Sequence, residues 1–215
     1  TFVNTIDVDA FAARAAELAA ARGELRRALG VEEDDVAVLS VARLAPEKGL
    51  DTLVRAAAAV GDPRLVLVLA GEGPERPRLE ERARELDARV VLAGDVPWER
   101  VVELYVAADV FALLSRSEPW GVVVNEAAAC GLPLVLSDRV GAAHDLLRDG
   151  ENGALVPVGD VHAAGEALRR LAEDEGLRRA YGARSRELVA GWGYAPSVDA
   201  FVAAVRRAVP QGPPR

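Results

Sequence analysis

The chain has 215 residues, 51% of them hydrophobic, and no apolar run near the length of a membrane span; this describes a single soluble globular domain with a substantial core. A formal net charge of −8 excludes a general nucleic-acid or anionic-membrane surface, so any phosphate site is expected to be local. The lone cysteine, Cys130, excludes an internal disulfide, and with no signal-peptide pattern the expected location is cytoplasmic, or peripheral to the inner face of the membrane in a full-length protein.

Residues 1–35 open with a short extended segment and then turn Ala- and Arg-rich. Phe11, Leu18, Leu25 and Leu29 recur at near-heptad intervals, which predicts helix interrupted or capped near Gly23 and Gly30. Val36–Val41 reads as the first buried strand. A loop carrying Arg43, the sole lysine Lys48 and Gly49 follows, and then an amphipathic helix to about Val60. The alternation repeats: strand Leu65–Ala70, turn Gly71–Pro74, helix Glu75–Leu86; strand Val90–Ala93, turn Gly94–Val96, helix Pro97–Ala107; strand Val110–Leu114 and a helix to Gly131. Strand Leu134–Leu136, a short helix through Leu147 and strand Ala154–Val158 complete the pattern. Three helices then run from Val161 to about Glu173, Leu177 to about Val189 and Ser197 to Val209, with Gly191–Pro196 as the break before the last and a frayed tail, Pro210–Arg215. Strands apolar throughout and separated by helices specify the α/β class, with a parallel sheet of about six strands covered by helices on both faces and extra C-terminal helices. The organisation expected is a linker and helical lead-in over 1–35, the sheet domain over 36–195, and a helix and tail over 196–215.

In a doubly wound sheet, ligands bind beyond the carboxyl ends of the strands. Arg43 with Lys48, Gly71–Gly73, Asp95 with Val96, Glu118–Gly121 and Ser137 with Asp138 all follow strands and should share that edge. The stretch Glu118-Pro-Trp-Gly-Val-Val-Val-Asn-Glu126 stands at a strand-to-helix turn. A helix N-terminus with unpaired N–H groups suits phosphate, and two carboxylates beside it suit hydroxyl groups on either side of one. The competing reading makes Ser115 and Glu118 a capping box and Glu126 an ordinary solvated helix residue. Other chemistries are poorly represented: there is no third glycine after Gly71-x-Gly73, no Walker A around Lys48 and no Gly-x-Ser-x-Gly. The two histidines, His144 and His162, are too few for most histidine-based metal sites. Cys130, in an Ala-rich run, reads as a small core residue rather than a nucleophile.

Arg43 with Lys48-Gly49, the Glu-x7-Glu pair Glu118 and Glu126, and the following Ala-Ala-Ala-Cys-Gly-Leu-Pro together resemble the C-terminal domain of a GT-B retaining glycosyltransferase of family 4. The resemblance covers nearly the whole chain, including Val3–Asp7 as the interdomain linker. It implies a Rossmann-like donor-binding half that takes a UDP-, GDP- or ADP-linked sugar with no metal or other cofactor. Arg43 and Lys48 would hold the diphosphate and neutralise the leaving group, and Glu118 would contact the donor sugar, so these three are the candidate catalytic residues. Glu126 would accept bonds from the ribose, backbone N–H groups of Gly121, Val122 and Val123 would contact phosphate and sugar, and Val96 would lie near the base. Two departures from the family pattern, Val140 and Asp145, fall in the loop after Asp138, where donor-sugar contacts are expected. Methionine is absent and the chain opens Thr-Phe-Val-Asn, so it is expected to be a piece of a longer protein whose acceptor-binding N-terminal domain lies elsewhere. The last helix would then expose its apolar face or pack on the domain itself. The alternatives are a hydrolysing nucleotide-sugar epimerase or phosphorylase of the same fold, and a non-catalytic nucleotide-responsive domain.

Overall fold

A computed structural model of the chain describes residues 4–208. Val3 of the linker-like segment, Val209 of the last expected helix and the Pro210–Arg215 tail lie outside the described residues. Six strands, β1 (Val36–Val41), β2 (Leu65–Ala70), β3 (Val90–Gly94), β4 (Val110–Leu113), β5 (Leu134–Ser137) and β6 (Gly153–Val156), form one wholly parallel sheet in the order β3-β2-β1-β4-β5-β6. The strand order reverses between β1 and β4, which opens a crevice at their carboxyl ends.

Among the described residues there are ten α-helices, all but the last packed around the sheet: α1 (Val8–Leu18), α2 (Arg22–Ala28), α3 (Leu50–Val60), α4 (Arg76–Glu85), α5 (Val101–Ala107), α6 (Val122–Ala129), α7 (Ala143–Leu146), α8 (Val161–Glu173), α9 (Glu175–Val189) and α10 (Tyr194–Ala208). The period-2 alternation of strand side chains divides the core. Ala37 and Leu39 of β1 face a layer shared with Tyr105, Val124 and Leu146, whereas Val36 and Val38 face one shared with Leu53, Leu79 and Leu168. Both faces of β1, β2, β4 and β5 are therefore buried, which is why these strands read as nearly continuous apolar runs, interrupted only by Ser40 and Ser137. Asp7, Asp160 and Asp174 cap α1, α8 and α9 by accepting from Ala10, Ala163 and Leu177 N–H at 2.9, 2.9 and 2.8 Å.

Three local expectations are corrected. The break in the first helical stretch is not at Gly23, which lies inside α2, but at a tight 3-10 turn, Ala19–Ala21. The Pro97 helix begins with a 3-10 turn, Trp98–Arg100, before α5. The break before α10 is confined to residues 190–193: α10 already starts at Tyr194 and carries Pro196 in its first turn, where a missing N–H breaks no intrahelical bond.

A buried ion-pair network ties the lead-in helices to the sheet. Arg26 is 3% exposed and donates to Asp109 Oδ2 at 2.9 Å and to the carbonyls of Ala107, Glu32 and Asp35. Arg22 holds the other Asp109 oxygen at 2.7 Å, and Asp109 also accepts Ala37 N–H. At the far end of the chain, none of the described residues of α10 is buried, and Val198 and Val205 are exposed on the side that also carries Tyr194 and Val202. Residues Glu175–Ala208 are apolar enough over 18 residues to count as a candidate membrane span. The backbone breaks at Gly193, however, and the 15 described residues of α10 reach only about 22 Å, short of a hydrocarbon core of about 30 Å.

Candidate functional site

The β1–β4 crevice is built by three loops that close on one another. After β1, Pro46 starts a 3-10 turn that ends at Gly49 (φ 66°) and runs straight into α3. A Cβ on Gly49 would lie 2.0 Å from the Leu114 carbonyl oxygen, so only glycine lets this turn abut the end of β4. Arg116 N–H donates to the Glu47 carbonyl at 2.7 Å and fastens the same contact from the other side. After β5, Arg139–Ala142 pairs with the segment 118–120: Glu118 N–H donates to Arg139 O, Gly141 N–H to Glu118 O and Ala142 N–H to Trp120 O at 2.9–3.1 Å.

These loops bring Lys48 and Glu118 together. The Lys48 ammonium donates to Glu118 Oε2 at 2.5 Å, with the two side chains only 21% and 13% exposed. Arg43 is on the same rim but exposed, and its guanidinium pairs with Glu47, a residue the sequence reading did not single out. The Glu47 carboxyl is held below the usual range by its own backbone N–H and by Arg43.

The capping-box reading of Ser115 and Glu118 does not form. The helix begins at Val122, and the Ser115 hydroxyl is buried with no hydrogen-bond partner among the described residues. Gly121 occupies the N-cap position with φ 87° and offers no side chain, so the first turn of α6 keeps its N–H groups free of a cap, and the first backbone bond is Val124 N–H to Gly121 O at 2.9 Å. Trp120 donates its indole N–H to Asn125 Oδ1 at 2.9 Å and stacks on Trp192 with ring centroids 5.1 Å apart; the amide of buried Asn125 reaches the Asn4 carbonyl. The motif loop is thereby anchored to the segment before α1 and to the turn before α10.

Glu126 is not an ordinary solvated glutamate. It is half-buried one turn into α6 and accepts from the Tyr105 hydroxyl at 2.6 Å. Burial lifts its carboxyl above the usual range, and the Tyr105 bond opposes that rise. Burial, then the Glu126 charge, drive the Tyr105 phenol well up and the Cys130 thiol up to about 12, which keeps both protonated and leaves Cys130 an inert core residue. Tyr105 escaped the sequence reading, although a tyrosine inside an apolar helix signals a hydroxyl in need of a partner.

Not every candidate joins this cluster. Val96 follows β3, separated from β1 by β2, and lines a cavity of about 410 Å³ between α2, β3 and α5 with Leu29 and Leu104. His144 and Asp145 are exposed on α7. Four further cavities are lined by other parts of the fold, none of them by Lys48, Glu118 or Glu126.

The sequence profile described as glycosyl transferases group 1 matches residues 21–188. The chain belongs to this family. It is 36% identical over 196 residues to a D-inositol 3-phosphate glycosyltransferase of Kribbella flavida, covering 85% of this chain and 46% of that protein. It is likewise 36% identical over 169 residues to the lipopolysaccharide core biosynthesis glycosyltransferase LpsE of Rhizobium meliloti, covering 77% of this chain and 48% of that protein. Among solved structures, a sucrose-phosphate synthase of Thermosynechococcus elongatus superposes with a TM-score of 0.76 at 32% identity over 86% of this chain and 48% of that one. Anabaena HepE in complex with UDP and glucose shares the fold, with a TM-score of 0.82 at 23% identity over 97% of this chain and 56% of that one. The chain thus spans about half the length of the relatives it matches, and its architecture is one half of a GT-B fold.

Proposed function

We propose that this group 1 glycosyltransferase chain is the donor-binding half of a larger enzyme that moves a sugar from a nucleotide diphosphate to an acceptor bound by another domain. The observation that carries the reading is the junction of Lys48, Glu118 and the uncapped start of α6 at the strand-order switch of a GT-B half. Lys48 has three donors, and Glu118 takes one, so the remaining two can meet the oxygens of a diphosphate. Arg43, on the rim, adds a second cation. The N–H groups of Val122 and Val123 open the first turn of α6 with no side-chain cap, and with that of Gly121 beside them they would meet a phosphate stabilised by the helix dipole.

Charge that builds on the departing diphosphate is met by fixed donors, with no divalent cation invoked. Glu118 uses one oxygen on Lys48 and keeps the other for a donor-sugar hydroxyl, while Glu126 accepts from the ribose and Val96 lies toward the base. Cytoplasmic placement belongs to the same proposal and is tested by fractionating cells that express the protein. Support for a nucleotide ligand comes from HepE, whose structure holds UDP and glucose. Calorimetry of the 215-residue chain against UDP, GDP and ADP and their glucose conjugates tests the reading. Binding of at least one pair is expected; a folded chain that binds none of them refutes it. Release of free sugar from a conjugate by the full-length protein without acceptor would instead favour a hydrolysing enzyme.

A further inference from the structure

Tyr105 is 1% exposed on α5, its ring tilted against Phe111 of β4 with centroids 6.1 Å apart, and its hydroxyl reaches across to Glu126 Oε2 at 2.6 Å. Glu126 is flanked in α6 by fully buried Ala127 and Ala128, in a helix packed against the sheet. For packing alone an apolar residue at 126 would serve better, because a half-buried carboxylate costs desolvation that one neutral hydroxyl does not repay. A carboxylate placed there at a cost, and gripped by a rigid phenol, has the form of an acceptor kept ready for a ligand.

We infer that Tyr105 is a positioning residue: its buried hydroxyl locks one oxygen of Glu126, so that the other is presented at a fixed angle to a hydroxyl of the nucleotide ribose. The inference rests on the donor-binding reading above and extends it to a residue that never touches the ligand. A phenol carries a single proton and donates once, so the two carboxylate oxygens become inequivalent. Without the phenol, the Glu126 side chain must be ordered at the moment of binding, and affinity falls by that ordering cost.

The titratable groups that interact with Glu126 are Tyr105 from α5 and Cys130 at the C-cap of α6; the Arg186 guanidinium from α9 acts on Cys130, donating to its carbonyl at 2.9 Å. Of these, the Tyr105 bond acts to favour the charged carboxylate. Removing it moves Glu126 protonation to higher pH.

The test is Tyr105→Phe in the 215-residue chain, titrated by calorimetry with whichever of UDP, GDP and ADP binds most tightly and with its 2′,3′-dideoxy counterpart. The variant is expected to lose about 3- to 10-fold in affinity for the ribonucleotide and less than about twofold for the dideoxynucleotide, in line with the ordering cost of one side chain. The acid limb of ribonucleotide binding should move to higher pH. In a Glu126→Gln background, adding Tyr105→Phe should leave the ribose discrimination unchanged. If Tyr105 only holds α5 against the sheet, both ligands weaken equally, the discrimination and the pH limb stay in place, and the inference is overturned while nucleotide binding stands. Failure of the wild-type chain to bind any of the three nucleotides overturns the donor-binding reading and this inference with it.

Discussion

Replacing Lys48 with alanine addresses the centre of the proposed site. The Lys48 side chain is 21% exposed and its ammonium is joined to Glu118 at 2.5 Å, so its removal has two consequences of different kind. A diphosphate loses a charge-assisted bond, which is about 1.5–3 kcal/mol or roughly 10- to 150-fold in affinity. Glu118 loses its counter-charge and stands as a bare carboxylate beside the incoming phosphates, adding repulsion that a salt series should weaken. The loss should therefore exceed the single-bond figure for a nucleoside diphosphate, remain under about threefold for the matching nucleoside, and shrink when Glu118→Gln is added. Calorimetry with the nucleoside and the diphosphate on the three variants reads all of this as a thermodynamic cycle. Equal losses for nucleoside and diphosphate, or a Glu118→Gln change that merely adds to the lysine effect, would show that Lys48 braces the loop and does not meet phosphate.

Gly49→Ala should destabilise the chain by more than about 3 kcal/mol, since the new Cβ meets the Leu114 carbonyl at 2.0 Å in a left-handed backbone; a urea midpoint close to wild type would contradict the packing described. Asp109→Ala leaves Arg26 buried without its carboxylate and should cost about 3 kcal/mol by chemical denaturation, tempered by the three carbonyls that Arg26 also contacts. Glu126→Gln should act in opposite senses on stability and binding. Its carboxyl is raised in the fold, so the ionised form costs stability above the unfolded value of about 4.3 and costs nothing once both states are protonated. The variant should consequently melt higher than wild type at pH 7, converge with it below about pH 4, and bind ribonucleotide less tightly; a lower melting temperature at pH 7 would argue against burial as the dominant influence on Glu126.

Strand and helix order, the parallel class and the edge on which polar loops gather were legible because they depend on local periodicity. Leu65–Ala70 is apolar at every position, and Val36–Val41 at every position except Ser40, because both faces are covered, and Asp160 announces α8 by the hydrogen bond it can accept. Glu118, Lys48 and Gly49 were legible as residue types out of place in a core. Gly23 misled because a single glycine close to a helix start costs little against the packing of α2 on α5. The competing capping-box reading fails because Ser-x-x-Glu specifies a spacing but not where a helix starts, and Gly121 starts it later.

Which groups meet was decided by tertiary structure. Lys48 and Glu118 are 70 residues apart and Tyr105 and Glu126 are 21 apart, and no periodicity records that α5 lays a phenol against the second turn of α6. The stacking of Trp120 on Trp192 likewise depends on how α9 returns across the sheet. The residues by themselves determined a parallel α/β sheet with cations and carboxylates gathered at one edge, because backbone preference and burial act over short stretches; the GT-B half came from the resemblance of its motifs. Pairing, shielding and shifted protonation arise only when distant segments exclude water from the same place, and so they belong to the folded chain alone.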